Sequence, residues 1–320
     1  MEETKKKIDL KERIAETIDK AKTDLVKVSK DTKLKIVNGL DENGDGVVSI
    51  EDIIIKALRI PGIGVDREQF LAKELEKKFK TNVVAKAIET TPIQAGVELN
   101  MLDKIANDVI EYERWGVSGI STALSTPGGV VGVATTVADI GQYYAYLLKV
   151  AQKLMYLYGF PQIDVKEKGQ KFDSATINTL LLCLGVMYGV HGASVALKEL
   201  AKQLGKGLAK KLLVMPITKK AFYKILKKIL SYFAVNLTKK AFAGAVSKAI
   251  PIVGGVIGGA LTFVTFKPCC DKLKESLRNT MLANPNLADE EIDLAQYAND
   301  DAEEIEKPDD TIAEQNPKAQ

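Results

Sequence analysis

Asp41, Asn43, Asp45, Ser49 and Asp52 are spaced so that their side-chain oxygens can reach one point. They lie in Asp41-Glu-Asn-Gly-Asp-Gly-Val-Val-Ser-Ile-Glu-Asp52. These are positions 1, 3, 5, 9 and 12 of a twelve-residue loop, and the backbone carbonyl of Val47 supplies position 7. Calcium takes six to eight oxygens at ~2.3–2.6 Å, and alternate residues of a tight turn can deliver them. Gly46 stands where such a loop bends sharply, a conformation that glycine adopts cheaply. Val48 is apolar, as a residue packing the loop on a core must be. A Gly/Asp/Asn-rich surface turn would use the same residue types but has no reason to repeat all these positions. The expected ligands of Ca2+ are therefore Asp41, Asn43, Asp45, the Val47 carbonyl, Ser49 and Asp52.

The loop resembles the calcium loop of an EF-hand. Asp52 replaces the bidentate Glu usual at its last position, and in that respect the segment is similar to one dockerin repeat. No second calcium loop follows, so the resemblance does not extend to cohesin binding. Ile53, Ile54, Ile55, Ala57 and Leu58 form an apolar exiting helix, which Arg59-Ile-Pro-Gly-Ile ends. Gly64-Val-Asp-Arg-Glu-Gln-Phe-Leu71 reads as the back half of a degenerate second hand. Asp66 would cap its helix, and Val65 would pair with Val48 through a short β contact.

These ligands need a scaffold, and helical periodicity dominates the rest of the 320 residues, so the fold class is all-α. Residues 1–29 read as a charged helix, part of an amphipathic stretch over 3–38 with Ile8, Ile14, Ile18, Leu25 and Val28 on one face. Residues 30–75 form the calcium unit, 76–280 a helical body and 281–320 an acidic tail that reads as disordered. Cys183, Cys269 and Cys270 build no disulfide framework, which fits a reducing cytoplasm. The charged start carries no export signal.

Catalytic constellations are absent from the sequence pattern. Cys183 and His191 would be ~12 Å apart on one helix, too far for a nucleophile–base hydrogen bond. His191, the only histidine, reads as a packed or pore-facing helix residue. Cys269-Cys270 has no partners at zinc spacing. Gly128-Gly129 and Gly254-Gly255 build no phosphate loop.

Three stretches of the body stand out. Gly116 to Ala138 is uncharged and broken at Pro127-Gly128-Gly129 into two helices, with Asp139 as a lone carboxylate beyond it. Leu197–Lys240 carries Lys206, Lys210, Lys211, Lys219, Lys220, Lys227, Lys228, Lys239 and Lys240 among Leu208, Leu212, Leu213, Phe222, Ile225, Ile229, Leu230 and Phe233. That basic amphipathic pattern suits anionic headgroups, or else a solvated face over a buried one. Nucleic acid is not expected, since arginines and stacking aromatics are scarce there. Ala249 to Phe266 is uncharged over about the lower limit for a membrane span, with Gly254/Gly258 and Gly255/Gly259 at close-packing intervals. Leu180–Leu197 is a similar uncharged run. The Gly-rich runs read as the packed centre of the body, or as a latent insertion hairpin.

Pro127-Gly-Gly, Val137-Ala-Asp139, the helix from Tyr143 to Gly159 and Ile250-Pro-Ile-Val-Gly-Gly-Val-Ile-Gly-Gly resemble the EcsC family of bacterial proteins over roughly residues 75–275. The resemblance implies a helical bacterial protein and carries no active site or cofactor onto this chain. The expectation is a calcium-binding, non-enzymatic protein at the cytoplasmic face of the inner membrane, with an anionic membrane surface as partner. The alternative is a hydrolase centred near Asp139, with calcium only structural.

Overall fold

The computed structural model describes residues 49–125, 129–163, 172–206, 221–234, 253–287 and 293–299; the side chains of 119–140, 253–261 and 299 are not described. The described residues are helical and contain no strand, so the fold is all-α. In chain order the helices are α1 Ile50–Leu58, α2 Arg67–Leu75, α3 Thr81–Glu89, α4 Leu99–Ser125, α5 Gly129–Leu157, α6 Ser174–Met187 and α7 Ala193–Gly205. Then come α8, over 221–234, α9 Val253–Arg278 and α10 Leu294–Asn299.

Local chemistry sets these boundaries. Asp66 caps α2 as expected, accepting from the Gln69 N–H at 2.9 Å. Asp173 does the same for α6 at 3.2 Å. The exiting helix α1 stops at Arg59, and Gly62 beyond it has φ 83°, which suits glycine alone. Gly159, with φ 95°, ends α5: the Phe160 N–H reaches back to the Met155 carbonyl at 2.9 Å. α4 ends at Ser125 and α5 begins at Gly129, two helices as expected for this run; Pro127 and Gly128 lie outside the described residues.

α4 and α5 form a hairpin, and α9 lies along both, packing most heavily on α4. Contacts Asp103–Arg278, Asn107–Lys274 and Arg114–Phe263 run in opposite chain directions, so α9 is antiparallel to α4. α5 is the central helix. From Tyr144 to Tyr158 it is buried almost all round, so the amphipathic helix expected there is a core element. Only Gln152 is polar among its deeply buried positions, and its amide is fully used: Nε2 donates to the Ile63 and Leu148 carbonyls at 3.1 Å.

The segment before α2 is held by this helix. The Val65 N–H donates to Gln152 Oε1 at 3.0 Å, and its carbonyl accepts from Tyr156 Oη and Gln162 Nε2. The N–H that a β contact with Val48 would require is thus engaged by α5; Val48 lies outside the described residues. Ile54 and Phe70 are both buried, in one core shared with α4–α9. Across the boundary expected at residue 75 the apolar core is continuous, because α1 packs on α5 and α6 and α2 on α5.

Three further expectations change, and one open alternative is decided. The uncharged run Leu180–Leu197 is two helices, α6 and α7, broken at Tyr188–Gly192. His191 lies in that break, exposed, its ring 5.5 Å from that of Tyr297. In α8, Phe222, Ile225, Ile229 and Phe233 are buried in the core, the buried-face alternative read for this stretch. The region from 281 is not uniformly unstructured: Ala283 is buried, and α10 buries Leu294 and Ala298. The helices read over 1–29 and 3–38, with Lys210, Lys211, Lys219, Lys220, Lys239 and Lys240, lie outside the described residues.

Candidate functional site

Two of the six expected calcium ligands lie among the described residues, and the helix they begin is bolted into the body. Ser49 is the N-cap of α1, with φ −99° and ψ 165°. Its Oγ accepts from the Asp52 N–H at 3.1 Å, while Asp52 Oδ2 accepts from the Ser49 N–H at 2.8 Å and from Ser49 Oγ at 2.5 Å. This is a reciprocal capping box. Ile50, Ile53, Ile54, Ala57 and Leu58 anchor the helix, and Asp52 itself is 1 % exposed. Burial pushes the Glu51 carboxyl above its usual range, and the Asp52 charge adds to that. Positions 9 and 12 of the loop are therefore oriented before any metal arrives. Helix capping by itself accounts for their geometry. Asp41, Asn43, Asp45 and Val47 lie outside the described residues, and no group of three His, Cys, Asp or Glu side chains suited to a metal occurs among the described ones.

Asp139, centre of the alternative hydrolase reading, lies on the backbone of α5, its side chain outside the description. Cys183 is buried on α6, its Sγ 3.5 Å from Met155 Sδ, and burial pushes its thiol up to about 12. A thiol so placed stays protonated and is no nucleophile at neutral pH. Cys270 is likewise buried and raised well above the usual thiol range, by burial first and then by Cys269 and Asp271.

An aromatic rim at the junction of α4 and α9 was not singled out from the sequence. Tyr112 and Trp115, one helical turn apart on α4, are 75 % and 67 % exposed. Trp115 meets Phe263 of α9 at 4.8 Å between ring centroids, and the neighbouring Val264 is 47 % exposed. Arg114 locks the junction. Its guanidinium lies 3.5 Å over the Phe263 ring, its Nε donates to the Phe263 carbonyl at 2.7 Å, and Glu111 pairs with it at 3.2 Å. On the far side of α4, Glu113 is buried and takes Lys153 at 2.6 Å and Lys149 at 3.5 Å from α5. The sequence signal for this rim was the position of Trp115, immediately before the charge-free run that opens at Gly116.

The chain matches no family model, no curated protein and no solved structure. No helix among the described residues is long and apolar enough to cross a membrane.

Proposed function

We propose that this chain is a calcium-binding, non-enzymatic helical protein, EcsC-like in its body, that works at the cytoplasmic face of a membrane. What supports the calcium part is the donor spacing from Asp41 to Asp52, ending in a helix whose apolar side belongs to the main core. Calcium in such a loop acts on the whole body, because α1 cannot reorient without disturbing α5 and α6. What supports the membrane part is the border between Trp115 and the charge-free stretch beyond it, together with lysines such as Lys227 on the outer side of α8. Each lysine near an anionic leaflet contributes roughly 1 kcal/mol, screened over about a Debye length.

The test is calcium titration by calorimetry, paired with sedimentation on vesicles of phosphatidylglycerol and phosphatidylcholine at low and high salt. The reading expects one calcium per chain and salt-sensitive binding to anionic vesicles. Absence of calcium heat at millimolar concentration would remove the calcium role. Equal partitioning to neutral and anionic vesicles, or none to either, would remove the electrostatic one.

A further inference from the structure

We infer that the acidic C-terminal segment is an autoinhibitory strap: α10 seats it beside α8, and its carboxylates compete with an anionic membrane surface for the lysines of that helix. The inference rests on the membrane reading above and adds how that surface is controlled.

Charge is segregated along the chain. From Leu200 to Cys270 there are thirteen lysines and no Asp or Glu. From Asp289 to Gln320 there are twelve Asp or Glu against two lysines. Any carboxylate that the first segment meets must come from another part of the chain or from another molecule.

The fold brings the two segments together. α8 turns Lys224, Lys227 and Lys228 away from its buried residues Phe222, Ile225 and Ile229. Lys227 is exposed and lies 5.0 Å over the Tyr223 ring, itself 52 % exposed. α10 lies against Lys228, whose Nζ donates to the Tyr297 carbonyl at 2.8 Å. Lysine commonly satisfies the last carbonyls of a helix in this way.

The anchors of α10 are apolar. Leu294 and Ala298 are buried, and the Tyr297 ring lies 5.5 Å from that of His191. Tyr297 also closes on Gly192 in the break between α6 and α7, where an added Cβ would lie 3.2 Å from the Tyr297 Cβ. Gly192 has φ 82°, so glycine gives the break both its turn and its room for α10. A six-residue helix is too short to persist alone in water, so α10 exists as a docked element. With so few anchors it opens at a lower cost than the whole body unfolds.

Acids bracket these anchors. Asp293 is exposed, and its Oδ1 accepts from the Ala295 N–H at 2.9 Å. Asp289, Glu290 and Glu291 precede it, and Asp300, Asp301, Glu303 and Glu304 follow α10. Asp300 is three residues beyond Tyr297, at most ~11 Å along the chain. That is comparable to the ~10 Å Debye length at ~0.1 M salt, so its charge is felt at Lys228. Docking is thus apolar and competition is electrostatic, which makes the two separable by mutation.

The test compares three full-length chains. Leu294→Ala/Tyr297→Ala removes anchors and leaves the net charge unchanged. Asp300→Asn/Asp301→Asn/Glu303→Gln/Glu304→Gln removes charge and leaves the anchors. Zero-length carbodiimide crosslinking, mapped by mass spectrometry, reads the contact without lipid. Sedimentation on vesicles of equal parts phosphatidylglycerol and phosphatidylcholine reads the competition. In the parent, acids between Asp289 and Glu306 should crosslink to Lys224, Lys227 or Lys228, and the anchor variant should lose these links. Both variants should bind the anionic vesicles about tenfold more tightly than the parent, with binding to neutral vesicles unchanged. Absence of those crosslinks in the parent would overturn the inference, whether or not the anchor variant folds. A folded anchor variant that binds no more tightly than the parent would also overturn it, and the parent's own binding would keep the membrane reading standing. No binding to anionic vesicles by any of the three would end both.

Discussion

Lys153 Nζ lies 2.6 Å from Glu113 Oε1, and this pair ties α5 to α4 directly beneath the aromatic rim. Glu113 is 1 % exposed and has a second cation, Lys149, at 3.5 Å. Removing one partner of a buried pair commonly costs about 3–5 kcal/mol. Lys149 remains in the Lys153→Met variant, so its loss should be smaller, about 2 kcal/mol. Glu113→Leu leaves two lysines facing each other and should cost more. The double variant Glu113→Leu/Lys153→Met should recover part of the summed loss. Urea denaturation of the four proteins gives the coupling, and strict additivity would contradict a direct pair.

Arg67 is a staple rather than a surface cation. Its guanidinium donates to the carbonyls of Ile88 and Thr90 at 2.7 Å, of Phe160 at 3.2 Å and of Ala87 at 3.4 Å. It thereby joins the end of α3 to the end of α5. Each buried acceptor left bare costs about 1–3 kcal/mol, so Arg67→Met should lower stability by about 3 kcal/mol or more. Arg67→Lys should rescue little, because one ammonium cannot span carbonyls arranged for a planar fork. A lysine variant as stable as the parent in denaturant would show that charge alone matters there.

Calcium and capping are separable at the loop. Ligand binding to the folded state alone stabilises by about 2.7 kcal/mol at a hundredfold excess over Kd. Because α1 shares the main core, this gain should appear in the single thermal transition of the whole body. Asp45→Ala should abolish the calcium-dependent shift and leave the calcium-free transition where it was. Asp52→Ala should abolish the shift and also lower the calcium-free stability by about 1 kcal/mol through the lost cap. Scanning calorimetry in calcium and in chelator reads both effects; an unchanged calcium shift in Asp45→Ala would locate the ion elsewhere.

Alkaline pH should weaken the fold in a defined window. Burial pushes the Cys183 thiol up to about 12, and the Tyr156 phenol up to about 12, with the Ile163 backbone hydrogen bond and Arg67 opposing the latter. Both acids have a higher pKa folded than unfolded. Their contribution is complete below the unfolded values, near 9 for the thiol and 10 for the phenol, and is lost as pH rises toward about 12. Each such group contributes a slope of about 1.4 kcal/mol per pH unit inside its window. Denaturation midpoints should therefore be flat through neutrality and fall above about pH 9. A thiol reagent at neutral pH should leave Cys183 and Cys270 unmodified until denaturant is added.

Features that depend on neighbours in the chain were legible from the sequence alone. Asp66 is a cap because its carboxylate reaches an N–H three residues on; Pro61-Gly62 ends α1, and the uncharged run from Gly116 is two helices, α4 and α5, because helix breaks are set by local backbone preferences. The all-α class follows from periodicities read within single windows, and Ser49 and Asp52 were marked by spacing within one loop. Other features required the tertiary structure, since they join residues far apart in the chain. Val65 gives its N–H to Gln152, the apolar side of α8 is spent on the core, and Leu294 folds back to bury itself. Trp115 of α4 finds Phe263 of α9. Hydrophobic patterning states which residues avoid water; it does not state whether they meet core, lipid or one another. That choice was made by the packing of α9 against the α4–α5 hairpin.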